Sequence, residues 1–124
     1  MKRLTILLAA VLVLLAAASL PTIRAGAQPA VVTEDNLDQM IASAKAPADH
    51  EAIAAFYEQQ AADAKKKAEL HRSTAETYRK LKLSKPVDMA HMCDGIAAMW
   101  DKIATDDLKL AKAHHHMAKA AAAS

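Results

Sequence analysis

Two stretches of similar sequence, 43 residues apart, decide the fold. The first is Ile53-Ala54-Ala55-Phe56-Tyr57-Glu58 and the second is Ile96-Ala97-Ala98-Met99-Trp100-Asp101. The register continues without a gap, so that nine of the 23 positions in residues 53–75 are identical to those in residues 96–118. The identities include isoleucine, aspartate, lysine and histidine as well as alanine. A repeat of this period predicts a duplicated helical unit.

Within each copy, alanine recurs every seven residues, which predicts the buried face of a coiled coil. Helices that meet at alanines pack at the near end of the usual range of about 8 to 10 Å. With a short connection near residue 84, the pattern predicts an antiparallel alanine-coil helical hairpin. The alanine rows are Ala54, Ala61, Ala68, Ala75 and Ala97, Ala104, Ala111, Ala118, and the companion rows are His50, Tyr57, Ala64, His71, Tyr78 and Cys93, Trp100, Asp107, His114, Ala121.

Helix boundaries follow from capping residues and prolines. Thr33, followed by two acidic residues, predicts a first helix that ends before Pro47. A second start at Asp49 runs unbroken to Ser84, and Pro86 suits the first turn of a third helix. We therefore predict an all-α protein with helices at about 34–46, 49–83 and 86–121. They form a single helical domain over 33–124, preceded by a disordered leader at 28–32.

The N-terminus has the three parts of a secretory signal. Lys2 and Arg3 supply positive charge, seventeen uncharged and mainly apolar residues follow, and Ala25-Gly26-Ala27 suits signal peptidase cleavage. Residues 1–27 are thus predicted to be a signal peptide, which implies a periplasmic or secreted protein with no membrane association after cleavage. An uncleaved anchor is the alternative. Without the basic residues of the leader, 13 basic residues balance 14 acidic ones, which argues against a nucleic-acid partner.

The third helix carries a row of apolar residues in addition to those that pack against the second helix. The first helix spans about 18 Å and each long helix about 50 Å, so the first helix cannot cover this row. The sequence therefore predicts a homodimer that forms a four-helix bundle, or a protein partner docked on the same face. The row consists of Met89, Ile96, Ile103, Leu110 and Met117, beside Met92 and Met99.

Metal-binding side chains recur in the predicted hairpin. Residues lie opposite one another when their numbers sum to about 168, which places Cys93 one helical turn from His71. These two residues, with Met89 as a third donor, form a first candidate metal site. Thiolate, thioether and imidazole donors favour Cu(I), or zinc if the methionine does not bind. Burial of Cys93 as a small apolar side chain is the alternative.

The second candidate metal site pairs His50 with His114, with His115 or Met117 as adjacent donors. Imidazole donors suit zinc, Cu(II) or nickel. The alternative is that the histidines only fill the seam. The same heptad directs His91 and His116 outward, away from both sites.

No catalytic motif accompanies these residues. The chain has no serine nucleophile elbow, no CxxCH sequence for covalent haem and no phosphate-binding glycine loop, so we expect it not to be an enzyme. The leading hypothesis is an exported protein that binds or buffers copper or zinc in stress resistance. A structural or chaperone-like interaction module without metal is the alternative. A third hypothesis, noncovalent haem, is disfavoured because helices spaced by alanine leave no room for a porphyrin.

At residues 50–58 and at Leu70-His71-Arg72, the chain resembles small, alanine-rich, exported bacterial helical proteins that are uncharacterised. The resemblance covers about residues 47–120. It implies a small secreted helical protein, and it carries no function or site residue with it.

Overall fold

The computed structural model describes residues 30–81 and 88–124, which form three helices and no strand. These are α1 (Leu37–Ser43), α2 (Pro47–Lys80) and α3 (Met89–Ala122). The two long helices pack against each other, which confirms the all-α class and the helical hairpin. The predicted signal peptide and the connection at 82–87 lie outside the described residues.

The seam between α2 and α3 is made of the predicted alanines. Ala61, Ala64 and Ala104 form a buried cluster, against which Trp100 packs. Pairs of residues in contact across the seam have numbers that sum to 164 for His50 and His114 and to 173 for Arg72 and Asp101, so the helices are antiparallel. All eight alanines of the two heptad rows are buried, namely Ala54, Ala61, Ala68, Ala75, Ala97, Ala104, Ala111 and Ala118.

One side of the seam carries ion pairs at heptad spacing. Arg72 pairs with Asp101 and, seven residues further along α2, Arg79 pairs with Asp94. The four side chains are roughly half exposed, so each pair contributes at most about 1 kcal/mol to stability. The residue numbers of both pairs sum to 173, so the two pairs belong to one antiparallel register.

The start of α1 differs from the prediction. The helix begins at Leu37, and the preceding turn is closed by Asn36, whose side chain accepts a hydrogen bond from the Thr33 N–H at 2.8 Å and donates one to the Val31 carbonyl at 2.9 Å. Thr33 was predicted to cap the helix, but here it belongs to this turn. The helix also ends earlier than predicted, at Ser43.

The second helix also begins at another residue than predicted. Pro47 is the first residue of α2, two residues before the predicted start, and the Asp49 carboxylate accepts hydrogen bonds from the N–H groups of Lys45 and Ala46. These bonds lower the pKa of Asp49. Asp49 thus caps the helix from inside its first turn. The described part of α3 begins at Met89, where Asp88 accepts a hydrogen bond from the His91 N–H at 2.9 Å. Pro86 lies outside the described residues.

The first helix covers α2 and leaves α3 open. Within the described residues, α1 packs on α2 and makes no contact with α3. The chain before α1, predicted as part of a disordered leader, lies beside α2, where Val31 and Val32 line an open cavity with Ala52 and Phe56. No helix in the described parts of the chain is long and apolar enough to cross a membrane. A row of large apolar side chains on α3 is therefore exposed, made up of Met92, Met99, Ile103, Leu110 and Met117.

Candidate functional site

The structure brings His50 and His114 together at the end of the hairpin. His50 lies in the first turn of α2 and His114 near the end of α3, and their Nδ1 atoms are 3.3 Å apart. The ring centroids are 5.5 Å apart. His114 is the only buried polar residue in the described part of the chain, with 8% of its surface exposed, and His50 is half-buried. The antiparallel register predicted from the sequence places the two residues together.

Tyr57 forms one wall of this site. It lies two turns after His50 on α2, and its ring stacks on that of His114 with centroids 6.0 Å apart. Burial raises the pKa of Tyr57, and the negative charges of Asp107 and Asp38 raise it further. The phenol therefore stays protonated at neutral pH and adds no charge beside the imidazoles.

His115, predicted as an adjacent metal donor, is engaged elsewhere. Its Nδ1 lies 2.7 Å from an oxygen of Glu51 and its Nε2 lies 3.0 Å from an oxygen of Glu58. Both ring nitrogens donate to carboxylates, so the arrangement requires the protonated imidazolium. A ring held in this way has no free lone pair for a metal ion. Met117, the other adjacent donor, is 48% exposed on α3.

The other candidate metal site combines His71, Cys93 and Met89, and it stays a prediction. His71 and Cys93 are half-buried, Cys93 is a free thiol, and no hydrogen bond joins the two among the described residues. Met89 is half-buried at the start of α3. Over residues 30–81 and 88–124, no three His, Cys, Asp or Glu side chains lie together so that they could hold a metal ion. The outward positions predicted for His91 and His116 are confirmed, since both residues are exposed.

The His50–His114 pair can hold a proton or a metal ion between its two nitrogens. A separation of 3.3 Å allows one ring to donate a hydrogen bond to the other. Two nitrogens bound at about 2.0 to 2.1 Å to a tetrahedral zinc ion are also separated by about 3.3 to 3.4 Å. Burial, and then the nearby His50, lower the pKa of His114. Near neutral pH, His114 is thus neutral, which is the form that binds a metal.

The pKa values of the neighbours His114 and His115 are shifted in opposite directions. The bonds to Glu58 and Glu51 raise the pKa of His115 above its usual 6.5, so its stabilising effect is present below pH 6.5 and is lost as pH rises through the folded-state pKa. His114, with a lowered pKa, stabilises the fold above pH 6.5 and loses this effect as pH falls. NMR titration of the ring protons measures both midpoints. Glu58→Gln should lower the His115 midpoint and Glu69→Gln should not, while a lower midpoint for His115 than for His114 would contradict the assignment.

Glu51 and Glu58 are residues beside the candidate site that were not predicted from the sequence. They lie one heptad apart on α2 and hold His115 from two directions. The predicted antiparallel register contains this information, since the residues opposite His115 have numbers near 53. A search for acidic side chains around that position would have found both.

In comparisons with family models, with curated proteins and with solved structures, no match to this chain was found. The resemblance to exported alanine-rich helical proteins stays a prediction.

Proposed function

We propose that this protein is an exported, non-enzymatic helical hairpin that binds a transition metal ion between His50 and His114 and buffers it outside the cytoplasm. The observation that supports the proposal is the 3.3 Å separation of two imidazole nitrogens from different helices, close to that of two ligands on one tetrahedral ion. The location outside the cytoplasm rests on the predicted signal peptide at residues 1–27.

The donor set favours zinc, Cu(II) or nickel. Imidazole suits all three ions, and the seam around the pair offers no thiolate that would select Cu(I). Two protein ligands leave the remaining coordination positions to water. Such a site binds an ion more weakly than a closed four-ligand site and releases it readily, which is the behaviour that a buffer requires.

Metal should stabilise the fold through this pair. At a free ion concentration one hundred times the dissociation constant, zinc, Cu(II) or nickel is expected to add about 2.7 kcal/mol to the free energy of unfolding, a rise of several degrees in Tm. Thermal unfolding followed by circular dichroism measures this, with and without one type of ion at a time. The rise should disappear in His114→Ala because one of the two ligands is gone.

His116→Ala is the matched control, since His116 is exposed on α3 only two residues from His114. It should keep the full rise in Tm. Equal rises in all three proteins would show that the ion binds elsewhere, and a flat response of the unaltered protein to every ion would refute metal binding. A rise with Cu(I) alone that is lost in Cys93→Ser would assign the metal to the predicted His71, Cys93 and Met89 site.

The second candidate function is a structural or chaperone-like interaction module. The exposed apolar row on α3 supports it, because a soluble single domain rarely leaves such a long apolar stripe uncovered. Under this proposal the histidines only fill the seam, and binding to a protein survives alanine at His71 and Cys93. The predicted homodimer and four-helix bundle belong to this proposal, since they require the same surface.

A further inference from the structure

The α3 apolar face, defined as Met92, Met99, Ile103, Leu110 and Met117, is an uncovered surface. Its members are 42 to 65% exposed, and their spacings of four and seven residues place them along one side of the helix. Over 25 residues this stripe is about 37 Å long. Single exposed apolar residues are ordinary, but a continuous stripe of this length marks an interface.

We infer that a second copy of this chain docks antiparallel on the α3 apolar face, with a two-fold axis at the level of residues 104 and 105. The positions of four of the five large side chains support this arrangement because they are symmetric about that level, while the fifth, Ile103, is level with Asp106 of the partner subunit. Met92 is as far from it as Met117, and Met99 is as far as Leu110. In the dimer Met92 packs on the partner subunit's Met117, and Met99 packs on the partner subunit's Leu110, as an isologous interface requires.

Charged side chains border the face on one side. Lys102 and Asp106 lie one residue before and three residues after Ile103, and within each chain the Lys102 ammonium pairs with the Asp106 carboxylate at 2.7 Å. In the antiparallel dimer, Lys102 is one residue from the level of Asp106 of the partner subunit, so opposite charges of the two chains lie near each other.

The arrangement keeps the two histidine pairs apart. His114 lies nine to ten residues from the axis level, so the two pairs are separated by about 28 Å along the bundle. Each chain would thus bind its own ion, whereas a parallel dimer would bring the pairs to the same end. The proposed interface contains neither His50 nor His114, so the dimer is measured in the presence of EDTA. A failure to dimerise is then distinct from a failure to bind metal.

Sedimentation equilibrium of the whole protein at micromolar concentration tests the interface. We expect a dimer, and Leu110→Lys should raise its dissociation constant at least tenfold because the charged lysine replaces an apolar side chain that packs on the partner subunit's Met99. Leu108→Lys is the matched control, since Leu108 is 42% exposed and Leu110 44%, but Leu108 points to another side of α3. A monomer at these concentrations, or equal effects of the two variants, would overturn the inference and leave the face for a different protein. Circular dichroism checks that both variants stay folded.

Engineered cysteines test the orientation. In a Cys93→Ser background that still sediments as a dimer, Met99→Cys and Leu110→Cys proteins are mixed under mild oxidation. The antiparallel dimer predicts a disulfide between the two different variants and little between identical ones. Disulfides between identical chains would overturn the antiparallel arrangement, and loss of the dimer in Cys93→Ser alone would contradict the assignment of the interface to the α3 apolar face.

Discussion

Ile53→Ala is expected to lower the free energy of unfolding by about 2 to 5 kcal/mol, because the side chain is fully buried and its removal leaves a cavity. Ile53 is the only large side chain with no exposed surface among the described residues. In a hairpin whose other buried residues are almost all alanine, no other single side chain brings as much apolar surface out of water. For a domain of this size, the loss corresponds to a fall in Tm of at least about 10 °C.

The chain that precedes α2 lies beside residues close to Ile53 in the sequence. Ala52 and Phe56 line a cavity with residues 30–32, and Gln60 donates a hydrogen bond to Glu34 at 3.3 Å. The other side of this part of α2 is covered by α3. Ile53→Ala therefore leaves a cavity in the part of α2 that also carries His50.

Urea or thermal unfolding followed by circular dichroism measures this effect. Ile41→Ala is the matched control, since it removes the same atoms from a side chain that is 41% exposed on α1. Ile41→Ala should lower the free energy of unfolding by less than about 0.5 kcal/mol, because this side chain is already partly exposed to water. If the two variants were equally stable, Ile53 would not be a buried anchor.

The repeat equivalents Ile53 and Ile96 show why the sequence predicts the core only in part. Both occupy the same position of the duplicated pattern, yet Ile53 is fully buried and Ile96 is half-buried. The heptad specifies which face of each long helix meets the other, and the alanine seam was predicted from it. It cannot specify which helix the short α1 covers, because that depends on the path of residues 30–46.

The candidate site was predictable to the same extent. The antiparallel register follows from the position of the connection between the long helices, so the approach of His50 to His114 could be worked out from residue numbers. The rotation of each helix about its axis could not. In the structure, this rotation directs His115 to Glu51 and Glu58 instead of to the pair.

Helix ends were the least predictable feature, because several side chains compete for the same backbone groups. Thr33 and Asp49 both have the chemistry of a helix cap. In the structure, the Asn36 side chain accepts a hydrogen bond from the Thr33 N–H. The Asp49 carboxylate, inside the first turn of α2, accepts hydrogen bonds from the N–H groups of Lys45 and Ala46. The sequence identifies residues that are able to cap a helix. Which of two nearby residues forms the capping hydrogen bonds depends on small differences in geometry.

Ala104→Leu is expected to lower the free energy of unfolding by about 3 kcal/mol, at the upper end of the usual cost of overpacking. Ala104 is buried against Ala61 and Ala64 of α2, with Trp100 beside it. The alanines allow a close approach of the two backbones, so three additional carbon atoms find no space. The helices can accommodate leucine only by separating, which would also pull Arg72 away from Asp101.

The matched control for this prediction is Ala98→Leu, which makes the same change at an exposed position of α3. Leucine and alanine differ little in helix propensity, so the control should be nearly neutral and the difference between the variants reports seam packing alone. Thermal unfolding should show a fall in Tm of about 10 °C or more for Ala104→Leu. A Tm that is unchanged or higher would contradict close packing, because leucine stabilises a seam only where the helices lie far enough apart to bury it.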